Sequence, residues 1–226
     1  MKNLRQLLYD WFTYREDEVS CSHPFFQYDK LCATNGLRLI RIDKSLLSEN
    51  VNLPMGVINK ERQVPDTQKG IPECSRCTPL TKKTVKKAIQ KAALVDEYVE
   101  CGDCNGTGSV EYEYQSLLGY HYYQTHECPV CGGTGKLEVT GKKIHDPLQI
   151  YQMEEFFLTG NTLACILEVM NVLEVEQLFI RYLRNKVTLK NLMMLTLDQT
   201  SCVEVVIGGI KDNDAKSIIK IPLEKQ

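Results

Sequence analysis

The chain has 226 residues, with 27 Lys and Arg against 29 Asp and Glu, and its net charge of −2 gives no global pull toward nucleic acid or an anionic membrane. A composition of 43% hydrophobic and 25% charged residues is that of an ordinary globular protein and excludes wholesale disorder. No apolar run approaches the ~20 residues that cross a bilayer, and Met1–Tyr14 lacks the apolar core of a signal peptide. A cytoplasmic protein with no membrane partner is therefore expected.

From Lys2 to about Arg15, Leu4, Leu7, Leu8, Trp11 and Phe12 recur at helical spacing. Phe25–Tyr28, Leu31–Ala33 and the alternating run Leu37–Ile42 read as strands, with Thr34-Asn35-Gly36 as a turn between them. From Lys44 to Pro79, prolines and glycines interrupt any long element, and an extended loop with at most one strand is expected. Thr81–Val95 predicts a helix with Val85, Ala88, Ile89 and Ala92 on one face and Lys82, Lys83, Lys86, Lys87 and Lys91 over the rest. That lysine face reads either as a solvated surface or as a phosphate-contacting one.

Beyond the cysteine-rich stretch 98–140, Gln149–Leu158 predicts one strand. A helix follows on Leu163, Ile166, Leu167, Met170 and Leu173, capped by Thr159 or Asn161. Gln177–Leu183, Leu192–Leu197, Val203–Gly208 and Ser217–Leu223 predict further strands. The fold class expected is α+β, with helices packed on an antiparallel sheet. Segments 1–97 and 141–226 would form one domain, interrupted by an insert over 98–140.

The chemistry of the chain lies in its ten cysteines, six of which fall in Cys-x-x-Cys pairs. Cys101-Gly-Asp-Cys-Asn-Gly-Thr-Gly108 and Cys128-Pro-Val-Cys-Gly-Gly-Thr-Gly135 are near copies of one another. Two intervening residues let both thiolates of a pair face one metal. Gly106, Gly108, Gly133 and Gly135 suit a backbone wrapped tightly around the sulfurs. Cys101, Cys104, Cys128 and Cys131 would thus complete the tetrahedral shell of one structural zinc ion, with no position left for water or substrate. The rival reading, a redox Cys-x-x-Cys, needs a helix after the first cysteine, and the glycines oppose one.

Cys74-Ser-Arg-Cys77 has no glycine tail and reads as a second metal site or as free thiols. Cys32, Cys165 and Cys202 stand in apolar runs, as core residues do. Between the knuckles, Val110–Tyr114 and Tyr120–Thr125 flank Leu117-Leu118-Gly119 and predict a β-hairpin. It bears Tyr112, Tyr114, Tyr120, Tyr122 and Tyr123, a candidate binding surface alongside Lys82, Lys83, Lys86 and Lys87.

The doubled motif resembles the C-x-x-C-x-G-x-G repeat of the cysteine-rich domain of DnaJ co-chaperones, over Cys101–Gly135. That family carries four repeats and two zincs, and its His-Pro-Asp tripeptide has no counterpart, His145-Asp146-Pro147 being in the wrong order. The resemblance implies a zinc module of this type and, as an alternative function, the binding of unfolded polypeptide.

The flanking segments are similar to a second family. Leu31-Cys-Ala-Thr-Asn-Gly-Leu-Arg-Leu39 resembles the ATDG-x-R-L strand-turn-strand of bacterial DNA polymerase III β subunits, the sliding clamps, with Asn35 in place of the usual Asp. Glu155–Leu167 looks like a clamp strand leading into a helix, and Ile218-Ile-Lys-Ile-Pro222 like a closing strand. This resemblance covers Lys2–Asp43 and Leu148–Leu223 and implies one clamp-like domain where the family has three.

No nucleophile–base arrangement, phosphate-binding glycine loop or open metal site is visible. The sequence therefore predicts a non-enzymatic, zinc-containing binding protein. Its expected partner is a protein or nucleic acid in a replication-related role, with a chaperone module and a self-association module as alternatives. Glu100, Asp103, Glu111, Glu113 and Glu127 make the insert acidic, which favours the protein partner.

Overall fold

The computed structural model describes residues 3–13, 23–27, 29–47, 78–154, 156–184, 191–197, 202–210 and 217–223. The chain divides into two compact units, Met1–Ala92 with Pro147–Gln226, and Ala93–Asp146.

The first unit is built on a seven-stranded sheet. Strands β1 (Phe25–Gln27), β2 (Lys30–Thr34) and β3 (Arg38–Asp43) form a meander. Strands β4 (Thr78–Thr81), β11 (Gln177–Arg184), β12 (Asn191–Thr196) and β13 (Val203–Gly208) complete the order β1-β2-β3-β13-β12-β11-β4, with every pair antiparallel. Alternation decides the two faces. Leu31, Ala33, Ile40, Ile42, Leu178, Ile180, Met193, Leu195, Val203, Val205 and Ile207 all join one buried cluster.

Three helices supply further members of that cluster, alongside Phe12, Leu80, Ala92, Tyr151, Met153, Phe156, Leu158 and Ile221. Helix α1 (Leu4–Trp11) gives Leu4, Leu7 and Leu8, α2 (Lys82–Ile89) gives Val85 and Ala88, and α3 (Gly160–Val172) gives Leu163, Ile166, Val169 and Met170. Each fully buried Leu or Ile there contributes roughly 2 kcal/mol. α2 and α3 start in the same way. Thr81 Oγ1 accepts from the Thr84 amide at 3.2 Å, and Thr159 Oγ1 from the Thr162 amide at 3.2 Å. Thr159 is thus the cap of α3, while Asn161 lies inside the first turn, because only the residue preceding the helix can turn its side chain back onto the free amides.

Several elements differ from expectation. α2 ends at Ile89, and Leu94–Glu100 is strand β5, because Val95 and Tyr98 pair with Ile144 and Val139 across β8 (Lys136–His145). α1 ends at Trp11, short of Arg15, with the Phe12 amide bonded to Leu8. The single strand expected over Gln149–Leu158 is two, β9 (Ile150–Met153) and β10 (Phe156–Thr159), which fold back on one another with Met153 opposite Phe156. Glu154 makes that reversal at φ 54°. The last strand, β14 (Ile218–Lys220), is shorter than predicted and runs parallel to β9 in a separate three-stranded sheet.

The second unit extends past the expected insert 98–140 at both ends, since the β5/β8 ladder begins with Leu94 opposite His145. Strands β6 (Ser109–Gln115) and β7 (His121–Glu127) form its other ribbon. No helix among the described residues is long and apolar enough to cross a membrane.

Candidate metal centre

Both ribbons of the second unit are rooted in one knot. β5 ends immediately before Cys101 and β6 starts immediately after Gly108; β7 ends immediately before Cys128 and β8 starts immediately after Gly135. In the first knuckle the Gly106 amide donates to the Cys101 carbonyl at 3.0 Å, and the Gly108 amide donates to Cys104 Sγ at 3.3 Å. In the second, the Gly133 amide donates to the Cys128 carbonyl at 3.2 Å, and the Gly135 amide to Cys131 Sγ at 3.1 Å. Thr107 and Thr134 each donate to the carbonyl of the second cysteine of their knuckle at 2.7 Å.

The knuckles also close on each other. The Cys101 amide donates to the Gly135 carbonyl at 3.0 Å, and the Cys128 amide to the Gly108 carbonyl at 2.8 Å. This contact is why glycine stands at 108 and 135. A Cβ on Gly108 would lie 2.2 Å from the Gly133 carbonyl oxygen, and one on Gly135 would lie 2.2 Å from that of Gly106. Both residues also have positive φ, 80° and 72°.

The result is a group of four sulfurs. Cys101 Sγ lies 3.8 Å from Cys128 Sγ, Cys104 Sγ lies 3.8 Å from Cys131 Sγ, and all four lie within 4.8 Å of one another. Around an ion with bonds of about 2.3 Å, the edge of a regular S4 tetrahedron is about 3.8 Å. The two close pairs therefore already stand at the separation a tetrahedral ion imposes, nearly twice the length of a disulfide bond.

Cys101, Cys104 and Cys128 are buried and Cys131 is half-buried. Burial and the neighbouring thiols push Cys101 up to about 11. Burial acts on Cys131 in the same direction, but amide donation from Gly135 and thiol donation from Cys128, Cys104 and Cys101 outweigh it and bring Cys131 down to about 7. A bound cation would displace the protons that the thiols still hold.

The structural neighbours are DNA polymerase sliding clamps. The clamp of Caulobacter crescentus matches over 91% of this chain and 62% of its own, at 14% identity and a TM-score of 0.40. A second crystal structure of the C. crescentus β clamp, with polyethylene glycol bound, matches over 91% and 63% at 13% identity and a TM-score of 0.37. The chain thus spans less than two thirds of the length of either clamp chain. No family model matches it. No curated protein matches it either.

The hairpin that rises from the knot has two unlike faces. Register places Tyr114 opposite Tyr122, Tyr112 opposite Gln124 and Val110 opposite His126 on one of them. The Tyr114 and Tyr122 rings stack with centroids 6.4 Å apart, and Tyr112 meets His126 edge-on at 5.4 Å. The opposite face carries Glu111, Glu113 and Glu127 with Tyr123 and His121. Glu113 accepts from Tyr123 Oη at 3.4 Å and also pairs with His121 Nδ1. All five tyrosines are more than half exposed, and Leu117 at the turn is fully so.

Among the candidate lysines, Lys83, Lys86 and Lys87 are exposed on α2. Lys82 is not: its side chain is 16% exposed and lies 4.0 Å from Glu176. Cys74 and Cys77 lie outside the described residues. Cys32 and Cys165 are buried thiols, raised by burial to about 11 and about 12, while Cys202 is half-buried.

The sequence reading missed an ionic group on the sheet face opposite the helices. Glu204, fully buried in β13, takes Lys30 of β2 at 3.2 Å and Arg41 of β3 at 3.5 Å. Its only sequence signal is a lone acid inside the apolar run Val203–Ile207.

Proposed function

We propose that this chain is a non-enzymatic binding protein in which one structural zinc ion, held by Cys101, Cys104, Cys128 and Cys131, stabilises an insert that presents the β6/β7 hairpin to a protein partner. The observation that carries the reading is the pair of 3.8 Å sulfur separations at the root of an exposed hairpin. Four thiolates from two short loops suit zinc, and a closed shell leaves the ion no catalytic position. A two-stranded ribbon exposed on both faces has no core of its own, so the metal supplies its stability.

A protein is the better partner for the hairpin. Ser109–Glu127 contains Glu111, Glu113 and Glu127 but neither Lys nor Arg, so it repels a phosphate backbone. Tyrosines, by contrast, are what protein interfaces use as large, stiff anchors. Metal analysis tests the first part: one zinc per chain is expected, and none for Cys128→Ser. Affinity capture with the wild type and with Tyr112→Ser/Tyr114→Ser/Tyr122→Ser tests the second. Identical retained proteins would refute it.

The lysines of α2 favour a second reading, nucleic-acid binding in the replication-related setting that the clamp resemblance implies. It predicts a gel shift of DNA at low salt that disappears at high salt; no shift at either removes it. The client-holding role implied by the DnaJ resemblance predicts that the chain suppresses aggregation of an unfolded protein, and that deleting Val110–His126 abolishes the effect.

A further inference from the structure

The second unit, Ala93–Asp146, has nine Asp and Glu against three Lys and no Arg, a net charge of −6 with its histidines neutral. In a chain of net −2 the remainder is correspondingly basic, and its densest basic segment is α2 with the turn after it. Lys83, Lys86, Lys87 and Lys91 are all exposed there, and Thr81–Ala92 contains no acid. The spacing three and four from Lys83 sets Lys86 and Lys87 along the same side of the helix, and Lys91 stands in the turn that follows. No ion pair involves any of the four among the described residues.

The acidic face of the hairpin has a matching period. Glu111 and Glu113 are two residues apart on β6, a repeat of roughly 6.8 Å along a strand. Lysines four apart on a helix repeat at about 6 Å. Tyr123 stands beside the carboxylates and gives a lysine stem a ring to lie on. The second unit already contains such a contact, with Lys136 Nζ 4.5 Å from the Tyr98 ring centroid. A metal held by four thiolates is over-neutralised, so zinc adds to the acidity of the unit.

We infer that the occupant of the Glu111/Glu113/Tyr123 face is the Lys83/Lys86/Lys87 side of α2 in a second copy of this chain. The contact joins two different patches, so it is heterologous and leaves the pair with one free patch of each kind, one on either copy. The tyrosine face with Tyr112, Tyr114 and Tyr122 stays open for the other partner. The inference does not depend on what that partner is.

Light scattering of the full chain at low and high salt, on wild type, Glu111→Lys/Glu113→Lys and Lys83→Glu/Lys87→Glu, tests it, with zinc content measured on each. The wild type should gain mass with concentration at low salt and lose that gain at high salt. Each variant alone should stay monomeric with one zinc bound, and their mixture should regain mass. A wild type that stays monomeric throughout overturns the inference, as does association that ignores salt and the reversals. A charge effect on stability with no change in mass overturns it too, since that would be a contact within one chain. Loss of zinc from the wild type would strike at the metal reading instead, and so is separable from these outcomes.

Discussion

The side-chain amide of Asn35 donates a hydrogen bond of 3.2 Å to the backbone carbonyl of Trp11, the last residue of α1. Its carbonyl oxygen accepts from the Leu37 and Arg38 amides at 3.1 and 2.9 Å, so one side chain shapes the β2–β3 turn and ties it to a helix end. Aspartate could make the turn but has no proton to give Trp11. Asn35→Asp would set a carboxylate against the negative end of α1, and a loss of about 1–2 kcal/mol in urea unfolding is expected. Zinc content should not change.

A methyl group on Gly108 or Gly135 has nowhere to go, because the facing atom is a backbone carbonyl of the other knuckle. Gly108→Ala and Gly135→Ala should each prevent the knuckles from closing and lower the zinc content well below one per chain. Gly141→Ala is the control. Gly141 also has positive φ, 81°, but nothing lies within 4 Å of its added Cβ. That variant should cost only about 1–2 kcal/mol of backbone strain and keep its metal.

Chelation should act on the same knot. With a strong chelator present, the signals of the second unit should collapse while the first unit, which has its own apolar core, keeps its circular dichroism. Proteolysis is expected to move into Ser109–Glu127. A hairpin that stays protected after metal removal would show that the ribbon holds itself.

The four cysteines were legible because their geometry is set within eight-residue loops, where sequence spacing is nearly spatial spacing. The strand pattern was legible too, since in Leu39-Ile40-Arg41-Ile42 the residues Ile40 and Ile42 join the helix-covered core while Leu39 and Arg41 take the other face. The α2–β5 boundary was not. Ala92 and Val95 continue the apolar helical pattern, and what pulls Leu94–Glu100 into a strand is β8, about forty residues further on. The β9–β10 reversal was hidden for another reason: Glu154 takes positive φ without a glycine or asparagine to announce it.

Glu204 was invisible in a third way, because a polar residue at an alternating position reads as solvent-facing. It is in fact fully buried, and its partners come from β2 and β3. Glu204→Leu should cost about 3–5 kcal/mol, since Arg41 is left buried without its carboxylate. The double variant Glu204→Leu/Arg41→Leu should recover most of that loss in denaturant unfolding. A double variant no more stable than the single one would mean that the charges do more than neutralise each other.

Cys165 gives the fold an alkaline limit. Burial pushes its thiol up to about 12, against the pull of Arg38 beside it, whereas in an unfolded chain it ionises near 9. Below pH 9 both states hold the proton and stability is unaffected. Between about 9 and 12 the unfolded chain releases a proton that the folded one keeps, so stability falls as pH rises, by roughly 1.4 kcal/mol per unit for one such group. Cys32, raised to about 11 by burial, adds a second contribution that ends earlier. Replacing Cys165 with alanine should flatten this limb by one proton's worth while lowering stability slightly at neutral pH. Equal slopes for wild type and Cys165→Ala in denaturant melts at pH 9, 10 and 11 would show that this thiol is not held protonated by the fold.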